Sequence, residues 1–182
     1  MTILPGRQSP VPTLHVRPMR RSDWEWVQQW FEDETLNREL GPLDEEWLIH
    51  VLSQSDGVQL IVEENTDSDA AQGNPVALVG VAWGRAEHEE SELSHGITDI
   101  AIDPARRRSS LGRHTIDAVC TWPGHPEVPE WIVFVDQRNA AAFAFFTAIG
   151  WTHKGLDSTE DGSGTTDPDA MHRFVRARSN EG

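Results

Sequence analysis

The chain has 182 residues, of which 37% are hydrophobic and 25% charged, and its formal net charge is −15. This length fits one domain with its own core, and no segment approaches the roughly 20 apolar residues of a membrane span. The negative charge opposes binding to nucleic acid, because polyanions repel each other. The single cysteine, Cys120, excludes an intrachain disulfide and indicates a reducing compartment, by default the cytoplasm.

The first half of the chain is predicted to contain a flexible tail over residues 1–12, with three prolines, and then a strand, two helices and two strands. The strand signals are alternating or continuous apolar residues, and the first helix begins with a capping-box pattern in which Ser22 precedes Glu25 by three residues. The four elements with predicted bounds are the strand 13–18, the second helix 44–53 and the strands 58–64 and 76–84.

The second half is predicted to alternate strands and helices, at 97–103, 109–122, 131–135, 139–150, 151–155 and 170–177, before a tail over 178–182. The first three of these elements form a right-handed crossover, which makes the two strands parallel. The element order predicts one mixed α/β domain over residues 13–177. Its central mixed sheet has six or seven strands and is flanked by about four helices.

Four of the fifteen basic residues lie between Arg106 and Arg113, in the segment DPARRRSSLGRHT. This segment joins a predicted strand to a predicted helix, whose first turn has unpaired backbone N–H groups and the positive end of the helix dipole. Small residues there let an anion approach the backbone, and arginine binds phosphate oxygens in pairs. The turn is therefore a candidate pyrophosphate site. The alternative is a solvated arginine run at an ordinary helix start.

Two segments resemble motifs of the GCN5-related N-acetyltransferase (GNAT) family. IAIDPARRRSSLGRHTIDAV resembles its acetyl-CoA-binding motif, in which a hydrophobic strand precedes Arg/Gln-x-x-Gly-x-Gly/Ala. Arg107 and Gly112 match this motif, and Ser110 stands where the first glycine is usual. NAAAFAFFTAIGW resembles the second motif of the family, which Asn139 opens, and Phe146 stands where tyrosine is usual.

The resemblance implies that acetyl-CoA is the cosubstrate and identifies the residues that contact it. The strand 97–103 pairs its backbone with the pantetheine arm, the start of the following helix binds the pyrophosphate, and the second motif contributes two side chains. The implied cofactor residues are Ile100, Ala101, Ile102, Arg107, Arg108, Ser109, Ser110, Leu111, Gly112, Arg113, Asn139 and Phe146. No metal is expected, because the eight histidines do not pair with Cys120 at zinc-like spacing.

Acetyl transfer to an alkyl amine calls for a base, because an amine with a pKa of about 10.4 is protonated at neutral pH. Asp99 is the preferred candidate, since a carboxyl group half-buried in a strand has a raised pKa. Strand alternation places Asp99 on the face opposite Thr98. His95 and the acidic run 89–92 are the other candidates for the base.

The expected function is acetyl-CoA-dependent transfer of an acetyl group directly to a primary amine. In this family the acceptor enters near two regions that are acidic here, 31–47 and 156–169, which favours a cationic small molecule or peptide. Phe146 removes the usual acid, and water or Thr147 would replace it. A non-catalytic acyl-CoA-binding module and an anion site unrelated to CoA stay open as alternatives, as does a homodimer.

Overall fold

The computed structural model describes residues 13–65, 73–84, 94–107, 109–157 and 170–177. Several predictions lie outside the described residues. They are the two tails, 1–12 and 178–182, the acidic run 89–92, the cofactor residue Arg108 and most of the acidic region 156–169.

The described chain forms seven strands and five α-helices. The strands are β1 (Leu14–Pro18), β2 (Gly57–Glu64), β3 (Asn74–Gly84), β4 (Ser94–Ile102), β5 (Glu130–Asp136), β6 (Thr152–Asp157) and β7 (Met171–Ala177). The helices are α1 (Trp24–Trp30), α2 (Glu34–Leu40), α3 (Glu45–Ser53), α4 (Leu111–Thr121) and α5 (Ala140–Ala148). The predicted mixed α/β architecture is confirmed.

One mixed sheet joins the seven described strands in the order β1-β2-β3-β4-β5-β7-β6. Neighbouring strands are antiparallel except β4 and β5, which are parallel as the crossover through α4 predicts. Each face of the sheet carries its own apolar core. The core on one face includes buried residues of α4 and α5, and the core on the other includes those of α1, α2 and α3.

The two parallel strands separate after a short stretch of pairing. Residues 95–97 of β4 pair with residues 131–133 of β5, and in the described structure this pairing goes no further. On its other side β4 remains paired with β3 as far as Ile102. Residues 98–102 of β4 therefore have a free backbone edge, which faces a gap at the carboxyl ends of the two strands.

The helix α2 was not predicted from the sequence. Its residues, ETLNREL, are mostly polar, and only Leu36 is buried, so the segment lacks a clear apolar period. A local signal was nevertheless present, since Asp33 is a good N-cap residue. Its side chain accepts a hydrogen bond from the Leu36 N–H at 3.0 Å.

A buried ion-pair network joins β1, β2 and the start of α1. Arg17 donates hydrogen bonds of 2.8 Å to both carboxylate oxygens of Asp23 and to Glu63 Oε1. Asp23 also accepts the backbone N–H of Arg20 at 2.7 Å, so Ser22 is not the cap that the sequence predicts. Burial raises the pKa of Asp23, but the hydrogen bonds from Arg17 and Arg20 outweigh it and the net pKa is lowered.

We expect Asp23→Ala to lower the free energy of unfolding by about 3 kcal/mol, because it removes the paired partner of a buried charge. Urea unfolding measures the change.

The pH dependence of stability gives a second test. Since the folded pKa of Asp23 is depressed, the ionised carboxylate stabilises the fold above about pH 4, and this stabilisation is lost as the pH falls through the folded pKa. The variant should therefore lose less stability in acid than the wild type does.

Arg38→Ala is the matched control for this experiment, because Arg38 forms an exposed ion pair with Glu39. Such pairs contribute only about 0–1 kcal/mol. A loss of the same size in both variants would contradict the assigned role of Asp23.

Candidate active site

A groove of about 530 Å³ lies beside the first turn of α4, where the chain leaves β4. Its walls come from the end of β4, the loop that follows, α4 and the last turns of α5. The lining residues are Ile102, Arg106, Arg107, Ser110, Leu111, Gly112, Arg113, Phe145, Ala148 and Ile149. Six of the twelve cofactor residues that the sequence analysis identified thus line one groove. Ile100 and Ala101 lie on the free edge of β4 that leads to it.

The start of α4 has the geometry of an anion site. Ser110 is the N-cap residue and has a left-handed backbone, with φ of +61°. This conformation costs a residue other than glycine about 1 kcal/mol, and the family motif usually has glycine here. The Ser110 side chain makes no capping hydrogen bond, so the first-turn amides of residues 111–113 have no side-chain cap. Such amides bind phosphate groups readily.

Gly112 allows α4 and α5 to approach closely. A Cβ atom at this position would lie 3.0 Å from Cε2 and 3.2 Å from Cζ of Phe145. The ring of Phe145 therefore packs against the first turn of α4 and forms one wall of the groove. Phe145 was not predicted from the sequence as a site residue. It lies three residues before Ala148 and four before Ile149, so the three side chains share one helix face. This spacing could have identified Phe145.

The helix α2 connects the two motifs. Its N-cap residue Asp33 binds Arg107, with Nη2–Oδ1 at 2.8 Å and Nη1–Oδ2 at 3.3 Å, and these bonds lower the pKa of Asp33. In its last turn, Glu39 Oε2 accepts a hydrogen bond from Asn139 Nδ2 at 3.3 Å. Asn139 in turn caps α5, since its Oδ1 accepts the Ala142 N–H at 2.9 Å. The two ends of α2 thus bind the segments that follow β4 and β5.

Three further side chains of the arginine segment, those of Arg106, Ser109 and Arg113, also have partners within the protein. Arg106 Nη1 donates to Glu64 Oε2 at 2.6 Å, and Ser109 Oγ donates to the Arg106 carbonyl at 2.6 Å. Arg113 Nη2 reaches the last carbonyl of α5 at 3.3 Å. The arginines are therefore held in place beside the groove by carboxylates and carbonyl groups.

Asp99 lies at the inner end of the free edge of β4. The register between β3 and β4 shifts beside Gly80, which leaves Thr98 as a bulge. Because of the bulge, Thr98 and Asp99 both line the same cleft. The prediction that they lie on opposite faces of the strand is therefore wrong. Thr98 Oγ1 donates to Asp99 Oδ2, and Gln59 Nε2 donates to Oδ1, both at 2.9 Å.

Burial raises the pKa of Asp99, although hydrogen bonds from Gln59, Thr98 and the Gly80 backbone oppose the shift. Burial prevails because none of these three donors carries a charge. Asp99 as a whole residue is partly exposed to solvent at the cleft. Its carboxylate group, in contrast, is surrounded by protein. A carboxylate with a raised pKa that borders a cleft is suited to accept a proton from a substrate.

His95 lies inside β4 rather than in a preceding loop, and it is 0% exposed. Its ring centroid is 5.9 Å from that of Trp83 and 5.1 Å from that of Trp131, and its Nε2 lies 2.7 Å from the Pro126 carbonyl. A residue enclosed in this way does not meet a substrate. Among the described candidates, only Asp99 borders a cleft.

Phe146 lies in the apolar core rather than in the wall of the groove. It is 3% exposed, and its ring centroid is 5.1 Å from that of Phe145, 5.2 Å from that of Trp151 and 5.9 Å from that of Phe174. Its neighbour Thr147 is exposed and donates its hydroxyl to the Phe143 carbonyl at 2.9 Å. Phe146 thus shares the core with Leu111, another predicted cofactor residue, but does not line the groove.

A parallel strand pair that separates beside a helix start with uncapped amides is the arrangement that the sequence resemblance implies for an acetyl-CoA site. The family model described as "Acetyltransferase (GNAT) family" matches residues 19–151 of this chain. The chain therefore belongs to the acetyltransferase (GNAT) family.

Comparisons with individual proteins agree with this assignment. An uncharacterized N-acetyltransferase of Bacillus subtilis (strain 168), YfmK, is 23% identical over 147 residues, which are 79% of this chain and 88% of the relative. A chimera of the spermidine N-acetyltransferase SpeG from Vibrio cholerae and hSSAT has a TM-score of 0.64 and 17% identity, with 90% and 95% of the two chains covered. The aminoglycoside acetyltransferase AAC(6')-Ib in complex with coenzyme A has a TM-score of 0.67 and 19% identity, with 91% and 95% covered.

Two negative findings apply to the part of the chain that the structure describes. It contains no helix long and apolar enough to cross a membrane. It also contains no group of three or more His, Cys, Asp or Glu side chains arranged to hold a metal ion.

We expect Gly80→Ala to lower the acetyltransferase turnover at least about tenfold, since displacing the candidate base should cost this much or more. A Cβ atom at Gly80 would overlap Asp99 Oδ2 and Thr98 Oγ1 and push the carboxylate away. Gly96→Ala is the control, because a Cβ atom there meets no described atom within 4 Å. Steady-state turnover and thermal unfolding should be measured for both variants. Unchanged turnover in a folded Gly80→Ala protein would contradict the assigned position of Asp99.

Proposed function

We propose that the chain transfers the acetyl group of acetyl-CoA directly to a primary amine, with Asp99 as the general base. The observation that carries the proposal is the free edge of β4. This edge covers residues 98–102, and it leads from Asp99 to Ile102, which lines the groove at the start of α4. Three residues of strand span about 10 Å, so one extended edge connects a candidate base with a candidate phosphate site.

The cofactor fits this arrangement in three places. The amides of residues 111–113 would bind the pyrophosphate, and Arg107 and Arg113 would add positive charge beside it. The backbone of Ile100, Ala101 and Ile102 would pair with the amide groups of the pantetheine arm, since this edge of β4 has no strand partner. The neighbour AAC(6')-Ib, solved with coenzyme A, supports this assignment.

The reaction forms a bond between the amine nitrogen and the acetyl carbon and breaks the bond between that carbon and sulfur. An alkyl ammonium ion must first lose a proton, at a cost of about 4.6 kcal/mol at pH 7. Asp99 accepts this proton. After the attack the nitrogen releases its second proton. The leaving group, with a cysteine-like pKa of about 8.5, departs as thiolate and takes up this proton through water, because Phe146 has no hydroxyl group to supply one.

A cationic small molecule is the acceptor that we propose. The net charge of −15 attracts cations, and the described segment 31–47 contributes carboxylates around α2. The structural neighbours include a spermidine and an aminoglycoside acetyltransferase, which supports a small amine over a peptide.

We also propose a reducing, cytoplasmic location. Burial raises the pKa of Cys120 to about 12, as expected for a packing residue that stays a thiol.

Calorimetric titration with acetyl-CoA, followed by thiol release against a panel of alkyl amines, tests this function. We expect saturable binding of acetyl-CoA, weaker binding of ADP, and thiol release that depends on the amine. Asp99→Asn should keep the affinity for acetyl-CoA and lose at least about a hundredfold in turnover, the usual contribution of a general base.

The pH profile separates a base from a structural residue. Since Asp99 must be ionised to accept a proton, kcat/KM should rise with pH through its raised pKa, and Asp99→Asn should lack this limb. Full turnover of Asp99→Asn with an unchanged profile would exclude Asp99 as the base. Binding without thiol release by the wild type would instead indicate a non-catalytic acyl-CoA-binding module.

A further inference from the structure

A second cleft, of about 310 Å³, opens beside Asp99 on the face of the sheet that α3 covers. It lies between the later turns of α3 and the neighbouring ends of β2, β3 and β4. The side chains that matter here are Trp47, His50, Asp56, Gln59, Thr98 and Asp99. Its volume is that of a small-ligand site.

The inner end of the cleft is formed by Asp99 and its two side-chain donors. Gln59 is 3% exposed and gives its amide N–H to Asp99, and Thr98 gives its hydroxyl. Both donors hold the carboxylate in a fixed orientation. A substrate nitrogen that gives its proton to Asp99 must therefore reach this end, and the rest of the substrate can occupy the cleft.

The outer part of the cleft has an aromatic wall and a second carboxylate. Trp47 is half-buried and stacks on Trp24, with ring centroids 5.9 Å apart at 26°. Asp56 is exposed, and its carboxylate makes no hydrogen bond or ion pair with the described residues, although its carbonyl accepts the Trp83 N–H at 2.7 Å. Aromatic rings favour alkylammonium groups, and carboxylates pair with them.

The charges on the cleft select for a cation. The lining residues within the described chain include Asp56 and Asp99 but neither lysine nor arginine, and His50 is the only basic side chain among them. The strand spacings give the scale of the cleft. Gln59 lies two strands across from Asp99, through Gly80, and Asp56 precedes Gln59 by three residues, just before β2 begins. Strand spacings then put the Cα atoms of Asp56 and Asp99 about 14 Å apart.

We propose that this cleft is the acceptor subsite and that it selects a linear diamine or polyamine. One amino group is held at Asp56, the alkyl chain lies along Trp47, and the distant amino group reaches Asp99. This inference rests on the proposed function. We expect a longer diamine to bind more tightly than one with two carbons between its nitrogens, because it reaches further between the two carboxylates.

Kinetics with three amines test the proposal: pentylamine, diaminoethane and a diaminopentane with terminal amino groups. The wild type should have a KM for diaminopentane at least about fivefold below those for the other two. Asp56→Asn should raise the KM for diaminopentane about three- to fivefold, with kcat and the KM for pentylamine unchanged, as the loss of one exposed ion pair predicts. Glu46→Gln, an exposed carboxylate of α3 outside the lining residues, is the matched control.

The outcomes distinguish this inference from the proposed function. If pentylamine and diaminopentane are acetylated with the same KM, or if Asp56→Asn affects both amines alike, the diamine subsite is wrong and the acetyltransferase function stands. A wild-type protein that binds acetyl-CoA but releases no thiol with any of the three amines overturns both.

Discussion

The parallel pairing of β4 with β5 ends after Ile97 and Val133, and the candidate active site depends on this separation. A strand edge inside a protein normally has a hydrogen-bonding partner, because unpaired backbone groups are costly to bury. Here residues 98–102 keep a free edge toward the gap. In open sheets, ligands bind outside the carboxyl ends of the strands, and both α4 and α5 begin shortly after those ends. The separation thus brings a free edge and two helix N-termini to one place.

The short helix α2 gives this opening its shape. Asp33 binds the loop after β4 through Arg107, and Glu39 binds the cap of α5 through Asn139. These carboxylates also offset part of the positive charge of the arginine segment, as Glu64 does for Arg106. The concentration of arginines at one turn of an acidic chain then has a structural explanation. Carboxylates hold Arg106 and Arg107 beside a groove, and a carbonyl group holds Arg113, so that their remaining N–H groups can meet phosphate.

Much of the fold was predictable because its signals are local. Continuous apolar runs identified β2, β3 and β5, and the predicted helix 139–150 begins at Asn139, the residue that caps α5. Other features depend on contacts between distant residues. Asp33 and Arg107 are 74 positions apart, and the polar residues of α2 give no apolar period. No periodic pattern predicts the bulge at Thr98, because a single inserted residue changes the face of every residue before it.

The two adjacent phenylalanines of α5 show a further limit. Comparison with the motif directed attention to Phe146, which the structure places in the core, whereas Phe145 lines the groove. Gly80 likewise carries no sequence signal of its own. Its role appears only when β3 and β4 are paired, since the Asp99 carboxylate then occupies the space of a Cβ atom.

Hydrogen exchange of the backbone amides with and without acetyl-CoA tests the central claim most directly. Residues 98–102 have a free edge, and residues 111–113 have amides without a side-chain cap. We expect acetyl-CoA to slow amide exchange in both segments, and ADP to slow it at residues 111–113 alone. Saturating acetyl-CoA that leaves exchange in residues 98–102 unchanged would contradict the assignment of the gap between β4 and β5 as the cofactor site.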